Sequence, residues 1–136
     1  MPHLVILYSG NLDAEVDMPA VCRTLADTMK GCRDEEDKPV FPVGGIRVLA
    51  YPSAHHAVAD GSGDFGFVYL NLRMARGRSD GVRRAVGDAL AAATKTALAP
   101  LLARRPVGVT FQIDEGAEVF DAKIGNLHAH FAKPKP

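Results

Sequence analysis

The residue of this chain whose type and position could do the most chemistry is Pro2. Methionine aminopeptidases usually remove Met1 when a small residue follows it, and this removal would leave Pro2 with a free secondary amine. A free amine can accept a proton or attack a carbonyl, whereas the amide nitrogen of an internal proline can do neither. Pro2 is therefore a candidate catalytic residue of the processed protein, although Met-Pro starts are common and do not by themselves establish the role.

The histidines do not have the spacing of a metal site. His55 and His56 are adjacent, so they cannot both face one ion from a strand, and His128 with His130 lacks an evident third ligand. The Gly61–Gly63 segment is a turn rather than a phosphate-binding loop, because it lacks the lysine and the following helix of such loops. The sequence predicts no metal and no nucleotide cofactor.

The two cysteines also indicate no redox or metal chemistry. Nine residues separate Cys22 from Cys32, which fits neither a redox pair nor a zinc knuckle. We interpret Cys22 as part of a helix core and Cys32 as a free thiol beside a charged loop.

Length and charge restrict the possible partners. The chain has 136 residues, which is a typical length for a single domain, and we assign residues 1–136 to one domain. Lysine plus arginine and aspartate plus glutamate both number 16, so there is no net field to attract nucleic acid or an anionic membrane. The first residues lack the features of a signal peptide, and no apolar run approaches a membrane span. We expect a cytoplasmic protein, with neither nucleic acid nor membrane as a partner, in which any anion site is local.

The first half of the chain predicts a strand, a helix and a strand. The continuous apolar run from His3 to Tyr8 is typical of a central strand. Pro19 then suits the first turn of a helix whose apolar residues recur at helical spacing, and Gly31 is a plausible C-terminal cap. Residues 32–38, CRDEEDK, form a solvated loop. A second strand is expected from Gly44 to Tyr51.

The second half repeats this order after a turn at residues 60–64. The pattern predicts a strand from Phe65 to Met74, a helix capped by Ser79 and a strand from Val107 to Asp114. Pro100 predicts a kink, or a helix end just before it. A short fifth strand is expected over residues 126–131. The residues expected on the buried face of the helix are Val82, Val86, Ala89, Leu90, Ala93, Ala97, Leu98 and Leu101.

The two halves, approximately residues 2–52 and 64–115, indicate a structural duplication, followed by a C-terminal segment at 116–136. Each half would be a right-handed βαβ unit with parallel strands, which together give an α/β (α+β) fold with a four-stranded mixed sheet and two helices. Two helices on one face leave the other face of the sheet bare, so apolar residues there need another subunit. The architecture therefore predicts a homo-oligomer.

Several segments carry a resemblance to a known family. They are PHLVILYSGNL (2–12), GGIR (44–47), ADG (59–61), DFGFVYLNL (64–72), GRS (77–79), FQIDE (111–115) and NLHAHF (126–131). In order and spacing they resemble the 5-carboxymethyl-2-hydroxymuconate isomerases of the tautomerase superfamily, over nearly the whole chain. The chain departs from that family in a longer loop at residues 32–38 and in lacking tryptophans after GGIR.

The resemblance implies a tautomerase-like trimer in which an amino-terminal proline is the base and no metal or organic cofactor takes part. It also implies that Arg47 and Arg78 bind the carboxylates of a small-molecule substrate, and that a 2-hydroxymuconate-type acid from aromatic catabolism is isomerised to its 2-oxo form. Arg78 would gain from the free N–H groups of the helix that follows it. By pattern alone Arg78 belongs with Arg76, Arg83 and Arg84 to a solvated basic surface; only the resemblance singles it out.

Two other functions stay open at this point. Related sites in the superfamily could hydrate or dehalogenate small unsaturated acids with a protonated proline as the acid. The chain could instead be a non-enzymatic oligomeric protein that binds a ligand on the same scaffold, since a fold does not by itself determine a function.

Overall fold

A computed structural model describes residues 2–132. Met1 lies outside this range, as does the last part of the predicted C-terminal segment. Within it, the strands are β1 (His3–Ser9), β2 (Arg47–Ser53), β3 (Gly66–Met74) and β4 (Val107–Glu115). The helices are α1 (Met18–Gly31), α2 (Asp80–Leu102) and α3 (Leu127–Phe131), and short 3-10 turns cover Gly10–Leu12 and Val43–Gly45.

The four strands form one mixed sheet in the order β2-β1-β3-β4. Strands β1 and β2 are parallel, β3 and β4 are parallel, and β1 pairs with β3 in the antiparallel sense. This is the predicted pair of βαβ units, joined through their first strands. The predicted fold class is confirmed.

One face of the sheet carries the core, and both long helices pack on it. Leu4 and Ile6 of β1 and Leu70 and Leu72 of β3 are fully buried there. They form one cluster with apolar residues of α1 and α2. Side chains alternate along a strand, so the opposite face, here called the open face, carries the residues between them.

Apolar side chains are exposed on the open face of β1 and β2. Leu7 is 42 % exposed and Tyr51, its partner in register, is 53 % exposed. Toward β4 the open face carries polar side chains. There Tyr69 donates a hydrogen bond to Gln112 and Asn71 donates one to Asp114, both over 2.9 Å. The apolar half of the open face is the part that the two helices leave uncovered.

The helix starts follow the sequence, but the helix ends do not. Asp17 caps α1 by accepting from the backbone N–H of Ala20, and Ser79 caps α2 as predicted. The Gly31 cap was wrong: the helix is closed by Cys32 in an extended conformation, whose N–H donates to Met29, so no left-handed residue is needed. Of the two outcomes predicted at Pro100, a helix end just before it is wrong and a kink stays a prediction. The helix continues to Leu102, and Leu101 in its last turn is buried in the core.

Two further expectations are corrected at the edge of the sheet. The second strand begins at Arg47 and not at Gly44, since Val43–Gly45 forms a 3-10 turn. Residues 126–131 were expected to form a strand, but Leu127–Phe131 is a short helix that packs against this turn. The alternation of apolar and polar residues in so short a run fits either structure, and the tertiary contact decides between them.

No helix within residues 2–132 has the length and apolar character needed to cross a membrane.

Candidate active site

Pro2 is buried at the head of β1. The register pairs His3 with Arg47 of β2 and with Arg73 of β3, so one step back Pro2 lies beside the residues that precede β2 and end β3. His3, the next residue, is exposed on the open face, as predicted from strand alternation. The pyrrolidine ring therefore lies on the helix-covered side and not on the bare side of the sheet.

The Pro2 ring packs against Gly45 of the 3-10 turn. A β-carbon placed on Gly45 would lie 3.4 Å from Cδ of Pro2 and 3.4 Å from Cε1 of His128. The neighbouring Gly44 contacts the same histidine, since its β-carbon position is 3.2 Å from Nδ1 of His128. These glycines allow Pro2 and the imidazole to approach the same point of the 3-10 turn.

Arg47 is the first residue of β2 and leaves the sheet on the open face, opposite His3. It is half-buried, and its Nη1 donates a hydrogen bond to the carbonyl of Gly44 over 3.1 Å. The side chain lines a cavity of about 810 Å³ at the outer edge of the sheet. Apolar residues of the 3-10 turn and of α3 line the same cavity, and Arg23 and Lys30 of α1 add two further positive charges to its wall.

Arg78 lies four residues after the end of β3, just before the Ser79 cap of α2. Its Nη2 donates a hydrogen bond to the carbonyl of Val40 over 2.6 Å, and within residues 2–132 no carboxylate forms an ion pair with it. Arg78 lines a different cavity, of about 340 Å³. Pro2, Arg47 and Arg78 are thus at the same end of the sheet, but the two arginines face different cavities of a single copy.

The other arginines near Arg78 are used differently. Arg83 pairs with Asp80 and Glu115 and also donates a hydrogen bond to the backbone carbonyl of Arg78 over 2.6 Å. It therefore neutralises carboxylates and fixes the backbone at the start of α2. Arg76 and Arg84 are exposed, in keeping with the solvated surface that the pattern alone suggests.

The charge at this end of the sheet acts on His3. Although much of the His3 side chain is exposed, its partial desolvation lowers the pKa of His3, and the guanidinium groups of Arg47 and Arg73 lower that pKa further.

The family model described as 5-carboxymethyl-2-hydroxymuconate isomerase matches residues 2–131. The chain belongs to this isomerase family. The family membership predicted from the sequence is confirmed, and the segment that matches the family model begins at Pro2.

Relatives of the isomerase family match over their full length. The chain is 30% identical to the 5-carboxymethyl-2-hydroxymuconate Delta-isomerase of Escherichia coli, covering 96% of this chain and 99% of that protein. A crystal structure of a 5-carboxymethyl-2-hydroxymuconate delta-isomerase is 61% identical, with a TM-score of 0.97 over 100% of this chain and 96% of that one. The isomerase from Deinococcus radiodurans R1 is 35% identical, with a TM-score of 0.85 over 97% and 95% of the two chains.

Sequence reasoning considered His128 only as a metal ligand and missed its place beside Pro2. Neither its spacing nor its type gave a signal, because the contact depends on α3 folding back onto the glycines of the 3-10 turn. Among residues 2–132, no three histidine, cysteine or acidic side chains are grouped as a metal site.

Both cysteines are free thiols, as predicted, and each is only partly buried. Cys22 was interpreted as helix core, and it packs beside the core while also lining the larger cavity. Burial raises the pKa of both thiols, which makes them poor nucleophiles near neutral pH.

Proposed function

We propose that the protein is a cofactor-independent isomerase of aromatic catabolism, acting in the cytoplasm. It would move a proton within a 2-hydroxymuconate-type acid, such as 5-carboxymethyl-2-hydroxymuconate, to give the 2-oxo isomer. Family membership supports the substrate class. The observation that carries the proposal is the burial of Pro2 at the head of β1, next to the strand β2 that Arg47 begins.

In the proposed reaction the amine of Pro2 is the base. It takes the proton of the 2-hydroxyl group and returns a proton to a carbon further along the conjugated chain, so that the O–H bond breaks, a C–H bond forms and the 2-oxygen becomes a carbonyl. An α-amino group titrates at about 7.7 to 8.0 in model peptides, and a prolyl amine is more basic still. Burial and neighbouring guanidinium groups would lower that pKa and supply the neutral amine near pH 7.

Arg47 and Arg78 are the proposed carboxylate-binding residues. A guanidinium can hold a carboxylate by two parallel hydrogen bonds, and the positive charges of Arg23 and Lys30 in the same cavity wall would favour an anion beside Arg47. Arg78 has no carboxylate partner among the described residues, and it stands beside the free N–H groups at the start of α2. Because the two arginines line different cavities of one copy, a substrate held by both would lie between two copies.

The same proposal includes a homo-oligomer, in particular a trimer. Leu7 and Tyr51 are exposed on the open face of the sheet. The segment between β4 and α3, residues 116–126, has no regular structure, and three of its apolar residues are almost completely exposed: Val119, Phe120 and Ile124. A lone copy would leave both surfaces in water, and a neighbouring copy would cover them.

The direct test is turnover of 5-carboxymethyl-2-hydroxymuconate, followed in the ultraviolet above its uncatalysed isomerisation. Mass spectrometry first establishes that Met1 has been removed. Replacement of Pro2 by alanine should lower kcat/KM by about 100-fold or more, as loss of a well-placed base does. Pro52→Ala is the matched control, because Pro52 is exposed on β2 and should leave turnover unchanged.

Two outcomes would favour the other functions. A rate that falls as the amine loses its proton would indicate an acid mechanism and a hydratase or dehalogenase, since the base mechanism rises over that pH range. A protein that retains Met1, or one whose ligand affinity is unchanged by Pro2→Ala and which shows no turnover, would be a binding protein.

A further inference from the structure

His128 is held against the 3-10 turn by the two glycines that precede Ile46. A β-carbon on Gly44 would lie 3.0 Å from Cα and 3.2 Å from Nδ1 of His128, which is tighter than ordinary van der Waals contact. The histidine backbone and ring can therefore take this position only because the turn has no side chain there. This contact packs the short helix α3 against the turn.

The imidazole and the Pro2 ring both pack against Gly45. The β-carbon position of Gly45 is 3.4 Å from Cε1 of His128 and 3.4 Å from Cδ of Pro2. Cε1 is bonded to both imidazole nitrogens, and Cδ is bonded to the nitrogen that becomes the free amine. In each ring, the carbon that packs against Gly45 is therefore bonded directly to a ring nitrogen.

One of those polar atoms has no partner. Nε2 of His128 is buried, and no hydrogen bond joins it to any of residues 2–132. Buried polar atoms are satisfied in the great majority of native structures, and an exception needs an explanation. His130, on the same helix, offers a contrast, because it is exposed and its ring packs edge-on against Phe131 with centroids 5.0 Å apart.

Removal of Met1 frees the nitrogen of Pro2. In the unprocessed chain the carbonyl carbon of Met1 is bonded to the Pro2 nitrogen about 1.33 Å away, so removing that residue opens the position next to the ring. A substrate whose hydroxyl reaches the Pro2 amine would enter this position. The Pro2 ring shares its contact with Gly45 with the imidazole of His128.

We propose that His128 is a second catalytic residue, whose Nε2–H donates a hydrogen bond to the 2-oxygen of the substrate while Pro2 removes the proton. This inference rests on the proposed isomerase function. As the O–H bond breaks, negative charge develops on the 2-oxygen before the carbon is protonated, and a donor placed in advance stabilises that charge. The imidazole keeps its own proton throughout, so the reaction needs no additional reactant.

Two substitutions of His128 distinguish the contributions of its two ring nitrogens. Glutamine can place an amide donor near the position of Nε2, whereas asparagine places one near Nδ1. With Met1 removed, His128→Asn should lower kcat on 5-carboxymethyl-2-hydroxymuconate by about 100-fold, the typical effect of losing one such donor, with KM changed less than threefold. His128→Gln should keep kcat within about tenfold of the unmodified protein. His130→Gln is the matched control and should change neither constant.

The inference is overturned if folded His128→Asn has the kcat of the unmodified protein, if its loss is in KM alone, or if glutamine rescues no better than asparagine. Circular dichroism and thermal unfolding establish that each variant is folded. A second measurement does not depend on turnover: ¹⁵N NMR of the His128 ring during addition of 2-oxoadipate, a saturated 2-oxo dicarboxylate. We expect the Nε2 resonance to move and that of His130 to stay, and an unmoved Nε2 resonance would overturn the inference even if the proposed isomerase activity is absent.

Discussion

Arg47 and His3 lie directly opposite each other in the parallel pair β1 and β2, with both side chains on the open face. Pro2 precedes this histidine and is buried on the other side of the sheet. His3 therefore reports the electrostatic potential one residue away from the proposed base. Its lowered pKa reflects burial first and then the positive charges of Arg47 and Arg73.

We expect Arg47→Met to raise the pKa of His3 part of the way back to its ordinary value, because burial and Arg73 continue to lower it. NMR titration of the His3 ring measures the change against a blocked histidine peptide. An unchanged His3 pKa in this variant would mean that Arg47 contributes little to the field at the head of β1.

The same depressed pKa affects stability. The unfolded chain binds a proton on His3 at a higher pH than the folded chain does, so the free energy of unfolding falls as the pH drops through the ordinary histidine range to the lowered value. Above that range His3 makes no pH-dependent contribution. Urea unfolding measures this free energy at several pH values for the unmodified protein and for His3→Gln. On acidification, the free energy of unfolding should decline less in the variant. Equal declines in the two proteins would contradict the prediction.

The sequence predicted the sheet because its signals are local: apolar runs, capping residues and the repeated βαβ order. The position of Pro2 follows from the same strand prediction, since Pro2 directly precedes β1, whereas its catalytic role stays a prediction. Sequence reasoning failed at α3 and His128, where a short ambiguous run is fixed by a distant glycine pair. It also gave no sign that Arg47 and Arg78 face different cavities, because that depends on side-chain direction in three dimensions.

A pair of glycine substitutions tests the contact that holds α3. Gly44→Ala should destabilise the protein by about 1–3 kcal/mol, the usual cost of overpacking, because the new methyl group would lie 3.0 Å from Cα of His128. Gly31→Ala is the matched control: no atom lies within 4 Å of its β-carbon position, and alanine at this helix end should be neutral or stabilising by up to about 1 kcal/mol. Chemical denaturation measures both changes, and equal effects would refute the packing argument.

Oligomer formation should depend on the exposed segment between β4 and α3. Phe120 is 84 % exposed and Ile124 is 91 % exposed, and burying one such side chain contributes about 1.5–3 kcal/mol. The double variant Phe120→Ser with Ile124→Ser should therefore dissociate at protein concentrations at least about tenfold higher than the unmodified protein does. Sedimentation velocity over a dilution series measures this. Lys123→Ser, which removes an exposed ion pair in the same segment, should leave the assembly unchanged.

The placement of the two arginines predicts a site shared between copies. If Arg47 of one copy and Arg78 of its neighbour bind the same substrate, Arg47→Ala and Arg78→Ala should each lower kcat/KM by about 10- to 100-fold, the effect of losing a charged hydrogen bond. Mixing the two inactive variants, followed by dissociation and reassembly, should restore roughly a quarter of the sites, because those sites receive both intact arginines. Arg84→Ala, which removes an exposed arginine of α2, serves as the control and should keep full activity. No recovery on mixing, with subunit exchange verified by mass spectrometry, would mean that both arginines act within one copy.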